Sequence, residues 1–252
     1  MPSVQAAGHS LNYEWVGSGE RDTLVFLHEG LGSIRQWRDF PAKVSSATGC
    51  RALVYDRYGY GASDTLKESK RHVHFMHDEA LRALPEMLKE LEIEKPILIG
   101  HSDGASIALI HAGGGHAVKA VVAMAPHVFI EPIGLASIAK TQQTFEKTDL
   151  AARFAKYHRD ARKTFYGWAD VWLDPKFVSW DIRDDYLPRI ECPVLAIQGE
   201  DDEYGTMAQL DDTARLVKRC ELLKLPGCGH SPFKDQPEKV LSAIRSFIEE
   251  NR

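Results

Sequence analysis

Pro96-Ile97-Leu98-Ile99-Gly100-His101-Ser102-Asp103-Gly104 is the stretch that decides how this chain is built. A short β-rich apolar run leads into two glycines that flank a serine, and Ala105 to His111 continue in an apolar helical pattern. The reading is strand, tight turn, helix. On such a turn a serine is held in a strained backbone conformation at the carboxyl edge of a sheet, and the flanking glycines let neighbouring backbone come close. A bare G-x-S-x-G pattern is common by chance, so its weight depends on what surrounds it.

Five further runs read as strands: Thr23 to Leu27, Arg51 to Tyr55, Val118 to Met124, Pro193 to Gln198 and Glu221 to Leu225. Helical spacing lies between and after them, as in Leu81, Leu84, Leu88 and Leu91, and in Val240, Leu241, Ile244, Phe247 and Ile248. This alternation predicts an α/β protein with a mostly parallel, doubly wound sheet covered on both faces. Pro85 falls inside the first helical pattern, so that helix is expected to kink or restart there. The alternation fails from Pro132 to Tyr186, where helical stretches carry Tyr157, Phe165, Tyr166, Trp168, Trp172, Phe177 and Trp180 without a clear strand. Residues 132–186 therefore read as a helical cap, inserted into a core domain made of 1–131 and 187–252.

Composition narrows the partners. A chain of 252 residues that is 44% hydrophobic can bury a full core. Its formal charge of -5 is spread without a basic run, which argues against nucleic acid. The N-terminal stretch has no positive start followed by an apolar core, and no segment approaches the roughly 20 apolar residues of a membrane span. A cytoplasmic protein with no membrane partner is expected. Cys50, Cys192, Cys220 and Cys228 match no zinc spacing and are too sparse for a disulfide framework, so free thiols are expected.

Two later turns carry titratable groups. The strand Pro193 to Gln198 ends in Gly199-Glu200-Asp201-Asp202-Glu203, where any of the carboxylates could serve as an acid. The last strand is followed by Pro226-Gly227-Cys228-Gly229-His230-Ser231-Pro232, which places His230 in a loop before the final helix. Serine, acid and histidine thus follow one another in that order, each after a strand.

In these three motifs the chain resembles the α/β-hydrolase superfamily. A fourth, Asp56-Arg57-Tyr58-Gly59-Tyr60-Gly61-Ala62-Ser63, resembles a structural turn of that family. The resemblance runs from about Tyr13 to the C-terminus and leaves the cap unexplained. It implies a capped fold of the α/β-hydrolase type with Ser102 as nucleophile, His230 as general base, and Asp202, three residues after the turn glycine, as the orienting acid. Asp201 is the alternative. It also implies an oxyanion hole built from the backbone N–H groups of Gly30 and Asp103. Glu29 stands in His28-Glu29-Gly30 where the family carries glycine, and its side chain is expected to turn away, with Arg35 or Arg57 as its counter-charge.

What the resemblance implies chemically is a serine hydrolase that forms an acyl-enzyme and releases it with water, with no metal or cofactor. The expected substrate is a small-molecule ester or related acyl compound. Two alternatives stand beside it: hydrolysis of a carbon–carbon bond in a diketone-type substrate, and a slow-turnover binding protein on the same fold. Trp168 and Trp172 are candidate substrate contacts, because aromatic rings commonly line acyl pockets, and Glu29 is one for a cationic or hydrogen-donating group.

Overall fold

A computed structural model describes residues 2–252. Six strands, β3 (Thr23–Leu27), β4 (Arg51–Tyr55), β5 (Ile97–His101), β6 (Ala120–Met124), β7 (Val194–Gly199) and β8 (Cys220–Leu225), run parallel. Two more, β1 (Ser3–Ala6) and β2 (His9–Val16), form an antiparallel hairpin that completes the sheet in the order β1-β2-β4-β3-β5-β6-β7-β8. Every residue of β5, β6 and β7 is buried, because helices cover both sides and near-continuous apolar runs suit such strands.

One face packs α1 (Phe40–Thr48) and α10 (Pro237–Glu250) on Phe26, Val54, Ile99 and Val122. The stripe Val240, Ile244, Phe247 and Ile248 is the buried side of α10, at the spacing one helical face requires. The other face packs α4 (Asp103–Gly113) and a helical run from Phe75 to Glu90 on Val25, Leu53, Leu98 and Val121. That run begins as α2 (Phe75–Asp78), widens to a π turn at Glu79–Ala83 and restarts as α3 (Leu84–Glu90). Pro85 in the first turn of α3 has no N–H to donate backwards, which accounts for the restart.

Between β6 and β7 lie α5 (Pro132–Lys147), α6 (Leu150–Phe154) and α7 (Ala161–Trp172), and after β7 come α8 (Ala208–Leu216) and α9 (Pro232–Asp235). From 132 to 186 no residue joins the eight-stranded sheet, and one isolated bridge pairs Phe129 with Asp181. This segment has an aromatic core of its own: Phe145 stacks on Phe165 with centroids 3.7 Å apart, and Phe154 meets both rings edge-on. Polar bonds fasten it to the rest of the chain at several places. Thr164 Oγ1 donates to the Gly59 carbonyl (2.7 Å) and Gly61 N–H to His158 Nδ1 (2.9 Å), while Ser137 Oγ donates to the Glu203 carbonyl (2.6 Å).

The turn after β4 is organised by Asp56. Its carboxylate accepts from Asn12 Nδ2, from the N–H of Ile34 and from the N–H of Ala62, all within 2.8–2.9 Å. The loop after β3 is thereby tied to the turn after β4 beside the carboxyl ends of the strands.

Candidate active site

Ser102 joins β5 to α4 with φ 53° and ψ -121°, a left-handed conformation that a side chain ordinarily disfavours. The surroundings enforce it. A Cβ on Gly100 would lie 2.3 Å from the Gly104 carbonyl oxygen, and one on Gly104 would lie 2.0 Å from that of Leu27. Only glycine at both positions lets the turn close this tightly against β3. The side chain of Ser102 is aimed at the loop after β8, and there it meets His230.

His230 Nε2 lies 2.9 Å from Ser102 Oγ, and its Nδ1 lies 2.9 and 3.0 Å from the two oxygens of Asp202. The carboxylate can only accept, so Nδ1 carries the proton and Nε2 is left to accept from the serine hydroxyl. Asp202 is fixed in turn by the Tyr204 N–H, which donates to Oδ1 at 2.8 Å. Asp201 is exposed and its N–H is spent on the Cys228 carbonyl. The structure thus brings Ser102, His230 and Asp202 together and leaves Asp201 outside. All three are largely enclosed, with Ser102 only 6% exposed.

Burial opposes protonation of His230, but the hydrogen bond and charge of Asp202 outweigh it and raise the pKa above the ordinary 6.5. Burial likewise opposes ionisation of Asp202, and its bond to His230 outweighs that, so its pKa is lowered. A base acts when unprotonated. Hydrolysis is therefore expected to fall as pH drops, with the acid limb of kcat/KM centred above 6.5, and a limb centred near 5 would exclude His230 as the base.

Gly30 and Asp103 follow the carboxyl ends of adjacent strands, since Leu27 of β3 pairs with Gly100 of β5. Asp103 is the first residue of α4, so its N–H has no acceptor within the helix. Gly30 is held against the cap: a Cβ there would lie 2.0 Å from Trp168 Nε1. Trp172 follows one turn later on α7, and its ring meets His127 at 5.0 Å. Both candidate tryptophans thus face the site, whereas Phe145, Phe154 and Phe165 pack the cap itself.

Glu29 is paired differently from the expectation. Arg57 binds its main-chain carbonyl (2.8 Å), not its carboxylate, and Arg35 donates to the Lys156 carbonyl. The carboxylate lies 3.5 Å from Lys234 Nζ and 3.7 Å from His101 Nδ1. Burial opposes its ionisation, and the His101 ring, Lys234 and His230 outweigh that and lower its pKa. His101 itself is pushed down to about 4, chiefly by burial, so Lys234 is the standing counter-charge at neutral pH. His101 Nε2 donates to the His230 carbonyl at 2.7 Å and so fixes the loop that carries His230.

Sequence reading missed Lys234, Tyr204 and His127. Tyr204 lies 4.6 Å from the His230 ring, and its hydroxyl bonds Thr141 Oγ1 of α5 at 2.9 Å. His127 lies 5.8 Å from His230, with its pKa lowered to about 3 chiefly by burial, so it is a neutral neighbour. Its place just past the end of β6 was the available signal, because ligands and reacting groups gather at the carboxyl ends of parallel strands. Cys228 is not an activated thiol: burial and the neighbouring carboxylates push it up to about 11. A cleft of about 950 Å³ lined by Lys95, Lys119, Arg189 and Arg219 contains none of the residues of this site.

A family model described as "Alpha/beta hydrolase family" matches residues 24–243. A non-heme haloperoxidase of Rhodococcus erythropolis is 26% identical over 284 residues, covering 99% of this chain and 100% of that protein. A structure of a carboxylesterase of Nitrososphaera gargenis superposes with a TM-score of 0.81 at 19% identity, covering 99% of this chain and 98% of the other. A meta-cleavage product hydrolase of Pseudomonas fluorescens superposes with a TM-score of 0.75 at 19% identity, covering 100% and 98%. At these identities the two structures speak for the fold alone.

Proposed function

The chain belongs to the alpha/beta hydrolase family, and on that premise we propose that it is a serine hydrolase that cleaves a small carboxylic ester through an acyl-enzyme. The observation that carries the reading is the unbroken run of bonds from Asp202 through His230 to Ser102 Oγ. His230 takes the serine proton as Oγ attacks the carbonyl carbon, and returns it to the leaving alcohol; Asp202 holds the ring and stabilises its charged form. The N–H groups of Gly30 and Asp103 receive the negative charge that develops on the carbonyl oxygen. Water activated by the same histidine then releases the acid.

Residues 132–186 act in this reading as a lid. Its helices cover a serine that is almost wholly enclosed, so substrate entry requires the lid to move. Trp168 and Trp172 then belong to the acyl pocket. Trp168→Ala is expected to shift relative rates among esters of graded acyl length more than it changes the rate on acetate; an equal loss on every ester would assign Trp168 to packing.

Glu29 does not suppress this chemistry, because Lys234 neutralises it. Glu29→Gln is expected to change kcat/KM on a neutral ester by less than about tenfold, or roughly 1.4 kcal/mol. A hundredfold rise would mean that the charge opposes the oxyanion, and would favour a binding protein over a hydrolase.

The direct test is labelling with a fluorophosphonate. Stoichiometric modification of Ser102, abolished in His230→Ala, is the expected result. An inert Ser102 in the folded wild-type protein would overturn the reading.

A further inference from the structure

A second cavity lies apart from Ser102, His230 and Asp202. It holds about 320 Å³ between the β1–β2 hairpin, the stretch after β4 and the helical run that starts at Phe75, a volume at the lower end of what small-molecule sites occupy. Leu66, Phe75 and the stacked rings of His9 and Tyr58, with centroids 3.6 Å apart, give it an apolar wall. Glu79 also lines it, as the first residue of the π turn, and turns of that kind are frequent at functional sites.

The charges on the wall are balanced, with carboxylates from Glu68, Asp78 and Glu79 against cations from Lys70, Arg71 and Arg82. Half of them are already served. Glu68 accepts from the Tyr58 hydroxyl at 2.9 Å, Asp78 is bonded to His72, and Lys70 is paired with Asp174 at 2.7 Å. Glu79 and the two arginines are not. Glu79 is 7% exposed, and its Oε1 accepts from the Tyr55 hydroxyl at 2.8 Å. Its Oε2 has no partner among the described residues and is not sealed in, so it opens on the cavity. Burial lifts the Glu79 pKa, and Arg57, the Tyr55 hydroxyl and Arg71 reduce that rise without cancelling it. Arg71 is thus near Glu79, yet the two form no ion pair. Arg71 spends one N–H on the Tyr58 carbonyl, its Nε has no acceptor, and neither it nor the exposed Arg82 is paired with a carboxylate among the described residues.

The cavity therefore lacks a donor for a buried carboxylate and an anion for two guanidinium groups. A purely cationic ligand would meet Lys70, Arg71 and Arg82, and a purely anionic one would meet Glu68, Asp78 and Glu79; a zwitterion answers both sets. A short apolar body would cover the rings. We propose that this cavity binds a free α-amino acid with an apolar side chain, its ammonium on Glu79 and its carboxylate on Arg71 and Arg82. The site is independent of the serine-hydrolase reading above.

Calorimetry on the whole protein tests this with L-phenylalanine and L-leucine, beside 3-phenylpropanoate, which lacks the ammonium, and 2-phenylethylamine, which lacks the carboxylate. The better amino acid is expected to bind with a Kd of about 1 mM or tighter, in keeping with a ligand of its size. Each half-ligand should bind at least about tenfold more weakly, since each forfeits hydrogen bonds to a charged group. Glu79→Gln should raise the Kd about tenfold or more. Arg82→Ala should raise it about three- to fivefold, and because Arg82 is exposed that variant decides if Glu79→Gln does not fold. Protein whose Ser102 carries a fluorophosphonate should bind the amino acid equally well. No saturable binding up to about 10 mM, a half-ligand within about threefold of the amino acid, or binding lost on labelling would each overturn the proposal. Failure of Ser102 to label overturns the hydrolase reading instead, and calorimetry on the wild-type protein and its variants still decides the cavity.

Discussion

Ser102→Ala is expected to lower kcat/KM on an activated ester by about four to six orders of magnitude while the protein stays folded, a loss of roughly 5–8 kcal/mol in transition-state stabilisation. The size follows from the geometry: with Oγ gone, the base at 2.9 Å has no proton to take and no covalent intermediate can form. His230→Ala should cost about as much, because the hydroxyl then has no acceptor for its proton. Asp202→Asn should cost about 10⁴-fold, since an amide facing Nδ1 favours the wrong tautomer. The three residues act as one unit, so the Ser102→Ala, His230→Ala double variant should be no slower than either single variant. Steady-state kinetics with far-ultraviolet circular dichroism on each variant checks this. Additive losses, or an Asp202→Asn protein with near-wild-type turnover, would dismantle the assignment.

The second large effect is expected at Gly104. An alanine Cβ there would sit 2.0 Å from the Leu27 carbonyl oxygen, 2.5 Å from its carbon and 2.7 Å from the His28 carbonyl oxygen. All three are backbone atoms of β3 and the loop after it, so no side chain can turn aside. Overpacking a core costs about 1–3 kcal/mol, and a clash between backbones belongs at or above the top of that range. Relief comes only if α4 moves away from β3, which separates the N–H of Asp103 from that of Gly30. A displacement of that kind is expected to reduce kcat/KM by about a hundredfold or more. Urea unfolding and ester kinetics on Gly104→Ala measure both; a variant with unchanged midpoint and rate would mean that the close approach is not needed.

The six parallel strands were legible because each is an apolar run bounded by turn residues, and the limits of β3 and β4 agree with that reading residue for residue. The hairpin of β1 and β2 was not. In β1 only alternate residues are buried, and its partner β2 carries Asn12 and Glu14. Its turn uses Ala7 at φ 50° before Gly8 at φ 81°, where asparagine or aspartate would have signalled a hairpin. The restart at Pro85 was readable because a missing N–H acts locally. Ser102, Asp202 and His230 were readable because each sits at a fixed distance past a strand. The partner of Glu29 was not: Lys234 lies far along the chain, and only the packing of α9 beside the loop after β3 brings the two together.

The left-handed backbone at Ser102 has an evolutionary corollary. Glycine adopts that conformation without the roughly 1–3 kcal/mol that a side chain incurs there. Against this stand about 0.5–1 kcal/mol of added chain entropy in the unfolded state and about 0.5–1.5 kcal/mol for the lost bond to His230. The terms nearly cancel. Ser102→Gly should therefore melt within about 4 °C of the parent, on the scale of 2–4 °C per kcal/mol for a chain of this size, although its chemistry is gone. A shift of 10 °C or more in a thermal melt would refute the cancellation. Folding surveillance in a cell would find nothing amiss in such a protein, so a lineage built on this turn can drift from catalyst to silent binder in one step, without passing through an unstable ancestor.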